Sequence, residues 1–207
     1  MSLPPYNFFL INFFTFSIFF IFLFKNLKRS NKKIFFFYGW LFGFGYFLTN
    51  IYWVTISLTF DQDFSFLVPI ALILIPSFLG IFYGIITYFF YFFNFKNVIS
   101  AFFLFSLLFG LVEYIRGNIL TGFPWNLIVY SFADKTDFLS FLSVIGTYSL
   151  NLLVISFFIT PAIFILRQSK KEIVVSIIFL LLPILLLTYG ASYKNLFLNK
   201  ELKQNPY

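Results

Sequence analysis

Glu113 and Arg116 stand three residues apart in the stretch Glu113–Tyr114–Ile115–Arg116–Gly117–Asn118–Ile119–Leu120–Thr121–Gly122–Phe123–Pro124–Trp125–Asn126. On a helix that spacing puts both side chains on one face, within pairing reach. An apolar run ends near here. A charge deep in a bilayer costs at least ~2.5–3.5 kcal/mol on insertion scales, so Glu113 needs a partner or water. Two chemistries fit. The pair can be a structural clamp that fixes a helix end, or the guanidinium can turn its forked donors to the phosphate oxygens of lipid headgroups. Further on, Gly122 supplies backbone freedom, while Pro124 fixes its own φ and pushes Phe123 toward extended geometry. Thr121–Gly122–Phe123–Pro124–Trp125 therefore reads as an interfacial or re-entrant turn with two aromatic rings, followed by Tyr130 and Ser131.

Other chemistries are excluded by composition. Cysteine and histidine are both absent. Without them there is no thiolate nucleophile, imidazole base, disulfide or usual transition-metal ligand set. We therefore expect no metal and no cofactor. The net charge of +7 could suggest nucleic acid, but its distribution along the chain argues against it.

The elements that must position these residues are membrane helices. Hydrophobic residues make up 61% and charged residues 10%, against roughly 25% charged in a typical globular chain. That leaves too little polar surface to face water. The 38 phenylalanines suit lipid-facing positions as leucine does, and Phe, Ile, Asn and Lys share A/T-rich codons. Six runs approach the roughly 20 apolar residues of a span, at about 7–24, 34–58, 66–93, 97–117, 138–166 and 173–191. The expected fold is all-α, a polytopic integral membrane bundle of about six transmembrane helices over 1–192. A polar tail, 193–207, follows.

Loop charge alternates. Lys25, Lys28, Arg29, Lys32 and Lys33 follow the first run, Lys96 the third, and Arg167, Lys170 and Lys171 the fifth. The second loop carries Asp61 and Asp63, and the fourth Asp134, Lys135 and Asp137. The positive-inside rule puts the odd loops in the cytoplasm. Both termini and the Glu113–Trp125 elbow then face outward. Nothing basic precedes the first run to orient it, so a preceding helix is expected upstream. In the second run Gly39 and Gly43 form a small-xxx-small face, with Gly45 beside it, suited to close approach by another helix or a lipid chain. Trp53 should lie near the outer interface.

The order Gly-rich helix with Trp53–Val54, Glu113-x-x-Arg116–Gly117, Thr121–Gly122–Phe123–Pro124–Trp125, Tyr130–Ser131 and Gly146-x-Tyr148 resembles that of apolipoprotein N-acyltransferases. The Pro4–Pro5–Tyr6 opening is similar to the family's segment before its second span. The resemblance implies eight spans and a periplasmic nitrilase-like domain between the last two. It implies transfer of an acyl chain from a phospholipid donor to the N-terminal diacylglyceryl-cysteine of a lipidated apolipoprotein, through a thioester on a cysteine helped by a glutamate and a lysine. None of that triad can be placed here, since the chain has no cysteine. The expectation is the lipid-handling part alone, inactive by itself, in the bacterial inner membrane, with the nitrilase-like domain supplied in cis or in trans. Arg116, Phe123, Trp125, Glu113 and Tyr130 would line the lipid site. The rival readings are a small transporter or channel subunit, which predicts ionisable groups along a central path, and a non-catalytic membrane assembly protein.

Overall fold

The computed structural model describes Leu3, residues 8–119 and residues 122–204, with the backbone alone from 197 onward. The Pro4–Pro5–Tyr6 opening, Leu120 and Thr121 of the elbow, and the last three residues lie outside the described residues. Among the described residues every regular element is helical. The helices are α1 (Ile11–Asn26), α2 (Lys32–Ile51), α3 (Val68–Tyr91), α4 (Val98–Asn118), α5 (Thr136–Leu139), α6 (Leu142–Ile145), α7 (Thr147–Ile165) and α8 (Lys170–Gln204). Among the described residues, five segments are long and apolar enough to cross a membrane: α2 with its extension, α3 with its lead-in, α4, α7 and α8. The chain is a polytopic helical membrane bundle. The first expected span is shorter than the rest: α1 has 16 residues, about 24 Å at ~1.5 Å per residue, against a hydrocarbon core of roughly 30 Å.

Three runs depart from the expected spans. After α2 the chain tightens to a 3-10 helix over Tyr52–Thr59. There the Thr55, Ser57 and Thr59 hydroxyls each donate to the carbonyl three residues back, at 2.7 Å. The fifth run, expected as one span over 138–166, is broken into α5, α6 and α7. The break falls at Gly146, whose φ of 78° ends α6 and starts α7. Ser140 and Ser143 donate back to Thr136 O and Ser140 O, offering the backbone local alternatives to a continuing helix. The sixth run continues beyond 192, with α8 helical to Gln204 and Lys194 3.8 Å from Asp137.

Helices α2 and α3 run antiparallel, as do α4 and α7, whereas α1 and α7 run the same way. On α2, Gly39 faces Tyr83 and Thr87 of α3, and Gly43 faces Gly80 and Tyr83. Thr87 Oγ1 donates to Phe35 O at 2.6 Å and ties the seam. Ser17 Oγ of α1 donates to Phe158 O of α7 at 2.9 Å. Between them lies a phenylalanine core. Phe16, Phe20, Phe90, Phe105 and Phe109 are fully buried and meet mostly edge to face, as in Phe20–Phe105 at 5.3 Å and Tyr83–Phe109 at 4.9 Å. That geometry suits ring quadrupoles. Phenylalanine therefore builds the interior as well as the outer surface, where Phe14 and Phe78 are exposed.

The alternation sorts the charges by end. Lys25, Lys28, Arg29, Lys32, Lys33, Lys96, Arg167, Lys170 and Lys171 gather at one end of the bundle. The opposite end carries Asp61, Asp63, Asp134 and Asp137 and, after α4, the elbow.

Candidate functional site

The site begins at the last turn of α4. Glu113 and Arg116 are 0% and 1% exposed and pair with each other. The guanidinium does more than neutralise the carboxylate. Its Nη1 donates to Phe123 O at 2.8 Å and to Trp125 O at 3.1 Å. It lies 5.3 Å from the ring centre of Phe47 and 5.9 Å from that of Phe123, within cation–π range. Of the two chemistries the spacing admits, the ion pair is present, extended into a clamp on the elbow's backbone. A planar fork reaches two carbonyls and a carboxylate at once, which a lysine ammonium on a single flexible stem cannot match.

The elbow folds back on the helix it leaves. Ile119 N donates to Ile115 O, Gly122 N to Ile119 O at 2.8 Å, and Phe123 N to Arg116 O at 3.2 Å. Gly122 has φ +79°, and a side chain there would meet the Gly117 carbonyl at 2.7 Å. The far side of the turn is pinned by Asn126, which sits at φ 63°. Its Nδ2 donates to Asn50 O at 2.8 Å, and its own carbonyl accepts from Tyr46 Oη at 3.1 Å. Asn151 Oδ1 accepts from Val129 N at 2.9 Å, holding the 3-10 turn Ile128–Phe132 against α7.

This bracing leaves Trp125 57% exposed while its neighbours Asn126 and Leu127 are buried. Three cavities meet at the elbow. One, of about 570 Å³, lies among Asn50, Trp53, Trp125, Asn126 and Tyr130. A second, of about 540 Å³, opens between α3 and the elbow, walled by Leu74, Phe78, Phe82, Arg116 and Phe123. The third, of about 520 Å³, lies between Trp53, Phe60, Phe123 and Trp125. Their walls are predominantly apolar, with a few polar groups near the elbow. Burial pushes the Tyr130 phenol above its ordinary value; Tyr148 adds to this and Arg116 opposes it. The phenol therefore remains a protonated donor near neutrality.

The expected site residues are thus brought together in part. Glu113, Arg116 and Phe123 form one cluster, and Trp125 and Tyr130 share a cavity wall. Gly39 and Gly43 lie in the α2–α3 seam, whereas a side chain on Gly45 would meet nothing within 4 Å. Sequence reasoning passed over Tyr46, Asn50, Asn126 and Asn151. A signal was there: amides inside or beside apolar runs need partners. It also passed over Gly80 and Gly84 on α3, four residues apart, which face Trp40 and Phe36.

A bundle with a buried ion pair braced beneath an exposed aromatic elbow and apolar cavities defines a membrane protein equipped to meet lipid at its surface. Residues 1–160 match the family described as apolipoprotein N-acyltransferase N-terminal domain, and the chain belongs to that family. An apolipoprotein N-acyltransferase of Rhizobium etli (strain CIAT 652) is 32% identical over 179 residues, covering 83% of this chain and 33% of the relative. One of Rickettsia prowazekii (strain Madrid E) is 34% identical over 176 residues, covering 79% and 33%. One of Rickettsia bellii (strain RML369-C) is 33% identical over 154 residues, covering 74% and 30%. The chain spans about a third of the length of these curated relatives.

Proposed function

We propose that this chain is the membrane-embedded, lipid-handling part of an apolipoprotein N-acyltransferase. In this reading it presents a phospholipid acyl donor, whose chain is passed to the N-terminal diacylglyceryl-cysteine of a lipidated apolipoprotein. The observation that carries the reading is an apolar cavity of about 540 Å³ between α3 and the elbow, which shares its Phe123 wall with a neighbouring cavity lined by the exposed Trp125. An acyl chain enters that cavity from the bilayer, and its head end meets Trp125, Phe123 and Tyr130 at the interface. Glu113 and Arg116 act from beneath by fixing the elbow's carbonyls. The basic end of the bundle faces the cytoplasm of a bacterial inner membrane by the positive-inside rule, and the elbow and both termini face the periplasm. A nitrilase-like domain, in cis or in trans, supplies the nucleophile, since these 207 residues hold no cysteine. By themselves they transfer no acyl chain.

Substitution by alanine of the residue that aligns with Trp125 in the full-length Rhizobium etli relative tests the reading. N-acylation of a diacylated lipopeptide should fall at least tenfold. An unchanged rate, or acylation by the purified 207-residue chain, overturns it. Orientation is tested separately with Asp134→Cys, a unique thiol in this chain. A membrane-impermeant maleimide should label it in intact spheroplasts.

A further inference from the structure

A fourth cavity lies away from the α3–elbow opening. It is a groove of about 360 Å³ between α1 and α2, walled by Asn12, Thr15, Leu41, Gly45, Thr49 and Asn50 among others. Its polarity is graded along the helix axes. Asn12 is the second residue of α1 and Asn50 the last but one of α2, so the amides and hydroxyls sit one turn below the elbow end. Leu41 lies nine residues deeper on α2, about 13 Å at ~1.5 Å per residue. The groove therefore runs through most of one leaflet's share of a hydrocarbon core of roughly 30 Å. Asn12 is 1% exposed, and its Nδ2 has no hydrogen-bond partner among the described residues. A buried unpaired amide donor is costly. Gly45 leaves the middle of the groove open, since a side chain there would meet nothing within 4 Å.

We propose that this groove is a second lipid site, which takes one acyl-ester chain of a glycerolipid. The ester carbonyl accepts a hydrogen bond from Asn12 Nδ2, and the hydrocarbon lies along Gly45 and down to Leu41. Depth and chemistry agree, because glycerol esters sit just under the headgroups, where the groove's polar end lies. The groove shares no wall residue with the α3–elbow cavity that carries the elbow reading, although Asn50 also lines the cavity beside Trp125.

Native mass spectrometry on the full 207-residue chain, delipidated in detergent and titrated with dioleoyl phosphatidylglycerol or its diether analogue, tests this. Wild type should retain the diester at this site about five- to tenfold more tightly than the diether, the worth of one hydrogen bond. Gly45→Leu should lose one retained lipid. Asn12→Leu should bind both lipids alike. Trp125→Ala reports on the elbow: if it removes no lipid while Gly45→Leu still removes one, the elbow reading fails and the groove stands. If wild type does not distinguish diester from diether, or Gly45→Leu with wild-type helicity keeps every lipid, the proposal is overturned. Should Gly45→Leu fail to fold by circular dichroism, Asn12→Leu decides, and an undiminished diester preference in that variant sinks the idea.

Discussion

The α2–α3 seam and the elbow solve opposite problems. The seam is held by what is missing. Gly39 and Gly43 leave room for Tyr83, Gly80 and Thr87 to approach the α2 backbone, and few side-chain bonds, Thr87 to Phe35 O and Trp40 to Ser77 O, cross it in polar terms. The elbow is held by what is present. Arg116, Asn126, Tyr46 and Asn151 each commit a side chain to a backbone group at a helix end or in the elbow. The physics behind the difference is the bilayer. Regular helices satisfy their own peptides, so a membrane seam needs only shape. Irregular backbone at membrane depth survives only where the protein supplies the missing partners. Side chains that bond to irregular backbone thus gather where the chain departs from regularity.

The sharpest way to break the contrast is to remove the clamp. Arg116→Ala leaves Glu113 buried without its partner and frees two carbonyls. Breaking a buried pair on one side costs about 3–5 kcal/mol. The variant should unfold at much lower SDS mole fraction than wild type. A variant as stable as wild type would show the elbow to be held by packing alone. Next comes Gly43→Leu, which drives a branched side chain into Gly80 Cα and Tyr83 Cβ, both already 2.9 Å from where a Cβ would stand. Overpacking of this kind costs about 1–3 kcal/mol, occasionally more. The loss should appear as global destabilisation, with the amides of 122–127 exchanging no faster than the rest. Arg116→Lys separates charge from fork. It keeps the ion pair with Glu113 but loses the two-carbonyl reach. Hydrogen exchange should quicken at Phe123 and Gly122 while the core helices stay protected.

The same contrast decides what could be read beforehand. Long apolar runs announced their helices, because lipid forces chains of roughly 20 apolar residues into self-satisfied spans. The Gly39–Gly43 spacing and the Glu113–Arg116 spacing are local, and local geometry fixes which faces such pairs share. What could not be read is non-local. Nothing near Asn126 in sequence points to Asn50, 76 residues away, or ties Asn151 to Val129. Hydropathy also hid the break in the fifth run. Leu139, Phe141, Leu142 and Ile145 are apolar enough to continue a span, and only the serines and Gly146 mark the turns. The burial of Arg116 was equally open, because a guanidinium near a helix end serves headgroups and carbonyls by the same donors.

The finest test uses two glycines two residues apart. Gly43→Ala places a Cβ at 2.9 Å from Gly80 Cα, a backbone atom that moves only if the helices part. Gly45→Ala places the same methyl in open space. Alanine also loses less backbone freedom than glycine on forming a helix, a difference of about 0.5–1 kcal/mol. Gly43→Ala should therefore destabilise the bundle, and Gly45→Ala should leave it unchanged or stabilise it by up to about 1 kcal/mol, both read from SDS unfolding midpoints. Equal shifts in the two variants would mean that glycine acts here through helix propensity, and that close approach contributes nothing to the seam. Opposite signs would locate the packing face of α2 on the Gly43 side and leave the Gly45 side free for lipid.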